Sequence, residues 1–157
     1  MEGALKQHFG FSSFKPGQKQ VIEAVLAENG RALCVFPTGG GKSLCYMLPA
    51  VLLPGLTVVI SPLIALMKDQ VDFLKSKNIA AEAWNSAIEE DSFESMKNLM
   101  KTGSLKVLFL APEKLNNEAC REVLMRTNIS LLACDEAHWY QSNFGCVDLL
   151  CFFFFFF

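Results

Sequence analysis

The octapeptide Phe-Pro-Thr-Gly-Gly-Gly-Lys-Ser at residues 36–43 restricts the fold of this chain more than any other segment. It lies between an apolar run, 32–36, and a segment with the pattern of a helix, 42–53. Consecutive glycines let backbone N–H groups converge on an anion, a lysine adds positive charge, and a serine hydroxyl at a helix start can bind a metal ion. We therefore predict a cradle for a nucleoside triphosphate and Mg²⁺, formed by Thr38, Gly39, Gly40, Gly41, Lys42 and Ser43.

One position of this loop departs from the usual pattern, which has a glycine where this chain has Phe36. A flexible glycine-rich surface turn is the competing interpretation. Such turns rarely lie between a buried strand and a helix that starts with Lys42-Ser43. Phosphate binding is therefore the favoured interpretation.

Composition sets the broad class of the chain. Its 157 residues are 52% hydrophobic, which fits one globular domain, and its net charge of −2 neither indicates nor excludes a nucleic-acid partner. The six cysteines contain no Cys-x-x-Cys pair, so we expect reduced thiols rather than a zinc site or disulfides. The start of the chain lacks the apolar core of a signal peptide. The apolar run 149–157 is shorter than the roughly 20 residues of a membrane helix, so no membrane partner is predicted.

Apolar runs alternate with helical patterns along the chain. The predicted helices are 16–28, 42–53, 61–77, 88–101 and 117–126, and the predicted strands are 32–36, 57–60, 80–84, 106–110 and 130–134. This alternation predicts an α/β fold with a parallel β-sheet and helices on both faces. Ligands of such sheets bind at the carboxyl ends of the strands, where the glycine-rich loop and Asp135 are predicted to lie.

Two adjacent acidic residues complete the predicted site. Asp135 directly follows a predicted strand and can hold Mg²⁺, while Glu136 can deprotonate an attacking water. Neighbouring side chains of an extended chain point to opposite sides, so one carboxylate can face the metal and the other the γ-phosphate. Two acids after a strand are by themselves more typical of a solvated turn. Their combination with the glycine-rich loop favours the catalytic interpretation.

The segment before the first predicted helix combines aromatic residues, including Phe11, with the amide of Gln18. A glutamine amide can pair with N6 and N7 of adenine. The competing interpretation is an apolar plug beneath the helix with Gln18 simply exposed. Spacing alone does not separate these two interpretations.

Several ordered motifs resemble those of RecQ-type DNA helicases. They are F-G-F at 9–11, F-K at 14–15 with Gln18, F-P-T-G-G-G-K-S-L-C-Y-M-L-P-A at 36–50, V-V-I-S-P-L-I-A-L-M-K-D-Q-V at 58–71, A-P-E-K-L at 111–115 and D-E-A-H at 135–138. The resemblance covers nearly all of 9–138. It implies a RecA-like P-loop domain, the first helicase lobe only, with ATP and Mg²⁺ as cofactors and single-stranded or partly duplex DNA as partner.

The resemblance also implies roles for individual residues. The residues near the nucleotide and its metal would be Phe11, Lys15, Gln18, the loop 38–43 and Asp135. Lys42 would bind the β- and γ-phosphates, and Ser43 and Asp135 would bind Mg²⁺. Glu136 would be the catalytic base. His138 would link the nucleotide site to DNA. Ser61-Pro62 and Ala111-Pro112-Glu113 would contact single-stranded DNA, although without the resemblance ordinary strand-to-helix turns would be favoured.

The match to the family fails after His138, and the chain ends in six phenylalanines. We interpret 139–157 as a divergent tail outside the native fold, translated from intron or frameshifted DNA. The predicted organisation is 1–30 adenine-recognition helices, 31–138 a truncated RecA-like lobe, and 139–157 the tail. An intron would place the parent protein in a nucleus, whereas a prokaryotic source would place it in the cytoplasm.

The predicted function is that of a fragment of an ATP-dependent 3′–5′ DNA helicase, which couples ATP hydrolysis to unwinding in recombination and repair. A second RecA-like lobe supplies arginines to the γ-phosphate in such enzymes, so we expect the isolated chain to hydrolyse ATP poorly. The alternative is a non-catalytic ATP- or DNA-binding module. A GTPase or transporter ATPase is not favoured, because the sequence has neither N-K-x-D nor L-S-G-G-Q.

Overall fold

The computed structural model describes residues 1–28, 30–37, 39–86 and 90–135. The strands in these ranges are β1 (Leu56–Ile60), β2 (Ala81–Trp84), β3 (Val107–Leu110) and β4 (Ile129–Cys134). The helices are α1 (Glu2–Phe9), α2 (Gln18–Leu26), α3 (Leu44–Leu52), α4 (Ile64–Ser76), α5 (Glu90–Lys101) and α6 (Glu118–Met125), and a short 3-10 helix spans Pro112–Asn116.

The four strands form one parallel sheet in the order β2-β3-β1-β4. Strand β1 lies between β3 and β4, so that Val59 is paired with Phe109 on one side and with Ala133 on the other. All residues of β1 and β3 are buried, as expected for strands of a parallel sheet that is covered on both faces. The predicted α/β fold is therefore confirmed.

Alternate side chains of the strands point into two separate cores, because successive residues of a strand face opposite sides of the sheet. Val59, Phe109 and Ala133 lie in one core, together with buried side chains of α1, α2, α3 and α4. Val58 and Leu108 lie in the other core, with buried side chains of α5 and α6. Helices thus cover both faces of the sheet, as the sequence predicts.

Helix α1 is an element that the sequence-based prediction lacks. Its residues Leu5 and Phe9, one helical turn apart, are both buried. The ring of Phe9 stacks on that of Phe73 in α4, with ring centroids 6.2 Å apart. The spacing of these two apolar residues is the signal that could have identified the helix. Helices α1 and α2 therefore contribute to the same core as the sheet.

The apolar run 32–36 does not form the buried strand that its composition predicts. Cys34 alone makes a β-bridge and is buried, whereas Leu33 and Val35 are 62% and 69% exposed. A fully buried strand needs paired neighbours and two covered faces, which apolar composition by itself does not supply. The other four predicted strands are confirmed to within one residue at each end, and the predicted helices to within three.

Four of the six cysteines lie in the described ranges, and all are buried thiols without a disulfide: Cys34, Cys45, Cys120 and Cys134. The expectation of reduced core thiols is confirmed for these four. Within the same ranges, no helix combines the length and the apolar character needed to cross a bilayer. These ranges also contain no group of three or more His, Cys, Asp or Glu side chains placed to hold a metal ion.

Replacing Phe9 with alanine is expected to lower the free energy of unfolding by about 3–5 kcal/mol, the usual range for loss of a buried phenylalanine ring. Phe9 is 2% exposed, and urea denaturation measures the change. Met125→Ala is the control, because Met125 is 88% exposed and its truncation should change the free energy by less than about 0.5 kcal/mol. Equal effects of the two substitutions would contradict the packing of α1 on α4.

Candidate functional site

The carboxyl ends of the central strands lie at one edge of the sheet and are joined by backbone hydrogen bonds. The N–H of Asp135 donates to the carbonyl of Ile60 over 2.8 Å, and the N–H of Ser61 donates to the carbonyl of Leu110 over 3.0 Å. Asp135 and Ser61 are 4% and 2% exposed. The structure therefore brings Asp135, the predicted metal ligand, beside the turn that was predicted to bind DNA.

The glycine-rich loop has backbone conformations that require glycine. Gly39 and Gly41 have φ values of 77° and 80°, in the left-handed region that other residues rarely adopt. A Cβ atom added to Gly40 would lie 2.8 Å from the carbonyl oxygen of Pro37. All three glycines are thus needed for this shape of the loop.

Ser43 stands at the start of α3, where a serine side chain commonly caps the helix. Its side chain makes no capping hydrogen bond here. Ser43 instead lines the wall of a cavity. A serine hydroxyl and a carboxylate such as that of Asp135 are the hard oxygen ligands that Mg²⁺ prefers, so these two side chains fit the predicted metal by their chemistry.

Lys15 and Gln18 hold the glycine-rich loop from outside. Gln18 donates from Nε2 to the Gly41 carbonyl over 2.9 Å and accepts from the backbone N–H of Lys15 over 2.8 Å. Lys15 Nζ donates to the carbonyl of Gly39 over 2.8 Å. Gln18 is 2% exposed, so the interpretation of a simply exposed glutamine is wrong. The sequence patterns did not predict this contact with the loop.

A cavity of about 420 Å³ lies beside the contacts that Lys15 and Gln18 make with the glycine-rich loop. Phe11, Gln18 and Ser43, all predicted to bind the nucleotide, line it. Gln70 and Phe73 of α4 also line it, and sequence reasoning missed both. The available signal for Gln70 was a polar residue at a buried position of an amphipathic helix.

The charges of Lys42 and Asp135 both act on the buried thiol of Cys34. A hydrogen bond with Cys45 lowers the pKa of Cys34, burial opposes this effect, and the positive charge of Lys42 lowers the pKa further while Asp135 raises it. Burial, with a smaller contribution from Asp135, raises the pKa of Cys134 to about 12. Lys42 and Asp135 therefore both lie within electrostatic reach of Cys34.

The residues of the turn that was predicted to contact DNA differ in their exposure to solvent. Ser61 is buried and its N–H is bonded to β3, so this residue joins strands. Pro62 is partly exposed, and the following Leu63 and Ile64 are 48% and 43% exposed at the start of α4. The exposed part of the turn is therefore the start of the helix.

Three other predicted residues, Thr38, Glu136 and His138, and the predicted tail 139–157 lie outside the described residues.

Comparisons of the sequence agree with this geometry. A model of the DEAD/DEAH box helicase family matches residues 15–148. The chain is 45% identical over 135 residues to an ATP-dependent DNA helicase RecQ of Haemophilus influenzae and 39% identical over 137 residues to one of Bacillus subtilis. These matches cover 85% and 87% of this chain and 22% and 23% of the relatives, so the chain spans less than a quarter of their length.

Solved structures share the fold at low sequence identity. The Mycobacterium smegmatis helicase Lhr, bound to single-stranded DNA and AMP-PNP, gives a TM-score of 0.64 at 21% identity and covers 83% of this chain and 19% of its own. A hypothetical ATP-dependent RNA helicase from Sulfolobus tokodaii gives 0.65 at 20% identity and covers 90% of this chain and 43% of its own. The architecture is therefore that of helicase domains.

Replacing Gln18 with alanine is expected to loosen the glycine-rich loop, because the Gly41 carbonyl and the Lys15 N–H both lose a partner. The free energy of unfolding should fall by about 1–3 kcal/mol, the usual cost of leaving such groups unpaired. Amide hydrogen exchange in 39–44 should become faster.

Gln20→Ala is the matched control, because Gln20 is exposed on the same helix. It should leave both the denaturation midpoint and the exchange of the loop unchanged. Equal exchange rates in the two variants would contradict a loop held by Gln18.

Proposed function

Because the chain belongs to the DEAD/DEAH box helicase family, we propose that it is the ATP-binding lobe of a RecQ-type 3′–5′ DNA helicase. The observation that carries this proposal is the hydrogen bond of Gln18 to Gly41 of the glycine-rich loop. It joins a group that can recognise a base to a loop that can bind phosphates. The relatives named RecQ are ATP-dependent DNA helicases, and the activity of such a whole protein is extended here to a much shorter chain.

Adenine recognition follows from the hydrogen bonds that Gln18 still has available. A glutamine amide offers two N–H donors and two carbonyl lone pairs. Among the described residues, Gln18 uses one donor on Gly41 and one lone pair on Lys15. The remaining donor and lone pair are those that N7 and N6 of adenine require. Phe11, 46% exposed on the cavity wall, offers an aromatic face to the base.

The triphosphate would extend from this cavity along the glycine-rich loop. Backbone N–H groups at the start of α3 and the charge of Lys42 would bind the phosphates. Ser43 and Asp135 would hold Mg²⁺, which neutralises phosphate charge during transfer. Glu136 would activate the attacking water. Arginines of a second lobe would then stabilise the transition state, so hydrolysis by this lobe alone would be slow.

DNA would bind at the exposed start of α4 and at the turn before the 3-10 helix, through contacts to phosphates that do not read sequence. His138 would connect that DNA to the nucleotide site. The parent protein would act in DNA repair and recombination, in a nucleus. A non-catalytic ATP- or DNA-binding module is the second candidate function, since the same cradle would bind ATP without hydrolysing it.

The decisive experiment measures binding of a fluorescent ATP analogue with Mg²⁺. Lys42→Ala should weaken binding about 10-fold or more, because a charge-assisted hydrogen bond contributes about 1.5–3 kcal/mol. Lys101→Ala is the control, since Lys101 is an exposed lysine at the end of α5. Unlabelled ATP should compete better than GTP if Gln18 recognises adenine.

Hydrolysis separates the two candidate functions. A slow ATPase rate that disappears in Lys42→Ala supports the helicase lobe, whereas tight binding with no hydrolysis supports the non-catalytic module. Fast DNA-stimulated hydrolysis that survives Lys42→Ala would contradict the proposed site altogether.

A further inference from the structure

Gln70 is a buried polar residue on the core-facing side of α4. The other buried residues of this helix, Met67, Val71 and Leu74, are apolar, whereas Gln70 is a polar residue that is only 8% exposed. Burying an amide costs free energy unless its polar atoms find partners. An apolar side chain would pack at this position without that cost. The amide is therefore expected to serve a purpose other than packing.

One end of this amide is held by a tyrosine. The hydroxyl of Tyr46 donates a hydrogen bond to Oε1 of Gln70. Tyr46 is completely buried, and its ring packs edge-on against Phe109 of β3, with ring centroids 6.3 Å apart. Because the oxygen of the amide is bound to this fixed hydroxyl, the amide group has a fixed orientation. Its nitrogen, Nε2, points away from Tyr46.

Nε2 of Gln70 has no hydrogen-bond partner within the part of the chain that the structure describes. In the same ranges, the only side-chain nitrogen or oxygen atom that is both enclosed and without a partner is Oγ1 of Thr57. Nε2 of Gln70 is therefore not enclosed. Since Gln70 lines the cavity of about 420 Å³, the two N–H donors on Nε2 are accessible from that cavity.

The position of Gln70 relative to α3 indicates which part of a ligand these donors would meet. Tyr46 lies in the first turn of α3, three residues after Ser43. Side chains of a helix lean toward its N-terminus, so the hydroxyl that holds Gln70 is directed toward the start of α3. The start of a helix is where phosphate groups bind. Gly41 and Ser43 line the same cavity as Gln70, so its donors and the glycine-rich loop share one cavity.

We propose that Gln70 is a further phosphate-binding residue, whose amide N–H groups donate hydrogen bonds to the phosphates of the bound nucleotide. This inference rests on the proposed function. The unused donors match phosphate oxygens, which accept hydrogen bonds, and a hydrogen bond to a charged group is stronger than a neutral one. Asp69 also lines the cavity, but it is exposed, so water and salt screen its negative charge.

The test compares Gln70→Glu with the unaltered protein in the binding of AMP-PNP and Mg²⁺, measured by isothermal titration calorimetry. Glutamate has the same length and still accepts from Tyr46, but it replaces the N–H donors with a charged oxygen that repels phosphate. AMP-PNP should bind about 10-fold more weakly or worse, since a hydrogen bond to a charged group contributes at least that factor. The affinity for adenosine, which has no phosphates, should change less than about twofold when it is measured by competition.

Two further variants complete the experiment. Gln20→Glu introduces the same charge at an exposed glutamine of α2, and it should leave both affinities unchanged. Gln70→Met removes the N–H donors at similar size without adding charge, and it should also weaken AMP-PNP binding by about 10-fold. If the buried carboxylate prevents Gln70→Glu from folding, Gln70→Met decides between the outcomes.

Each outcome supports or overturns the role of Gln70. If the unaltered protein does not bind AMP-PNP, the proposed function fails, and the inference fails with it. If the unaltered protein binds AMP-PNP and both variants of Gln70 bind it equally well, the phosphate contact is overturned while the proposed function stands. Equal losses for AMP-PNP and adenosine would show that Gln70 contacts the nucleoside or only supports the cavity, and would overturn the inference. A loss in Gln70→Met but not in Gln70→Glu would also overturn it, because a ligand hydroxyl, unlike a phosphate, can donate to glutamate.

Discussion

Parallel pairing of β1 with β3 and β4 is the constraint on which the rest of the site depends. The pairing aligns the carboxyl ends of the three strands, so that the bond from Asp135 to Ile60 and that from Ser61 to Leu110 form at the same edge. Parallel strands require crossover connections, which place helices on both faces and leave loops at this edge. Asp135 and the turn that leads into α4 therefore meet although they are distant in sequence.

The glycine-rich loop and Gln18 form one structural unit. Gly41 needs a left-handed φ of 80°, and a Cβ atom added there would lie 2.5 Å from Nε2 of Gln18. Glycine is thus required for the turn and also for the approach of the amide. The hydrogen bonds to Gly41 and Lys15 leave one donor and one lone pair of Gln18 unused among the described residues. The same side chain can therefore hold the loop and recognise a base.

The sequence predicted the parallel sheet and the location of Asp135, because apolar strands and turn residues are local patterns. It did not predict that Gln18 contacts Gly41, since that hydrogen bond joins residues that only the packing of α2 on α3 brings together. The run 32–36 was wrongly predicted to be buried, because burial depends on neighbouring elements and not on composition. The hydrogen bond between Tyr46 and Gln70 was missed for a similar reason, as a buried polar pair has no local signature.

Helix α4 connects the two parts of the site. Its start, at Leu63 and Ile64, is exposed beside the end of β1, while Gln70 lies two turns further along and accepts the hydrogen bond of Tyr46. A displacement of α4 would carry Gln70 with it, because a helix moves as a rigid element. Gln70 also lines the cavity that Ser43 and Gln18 line. An exposed surface and the candidate nucleotide cavity are therefore joined by a single helix.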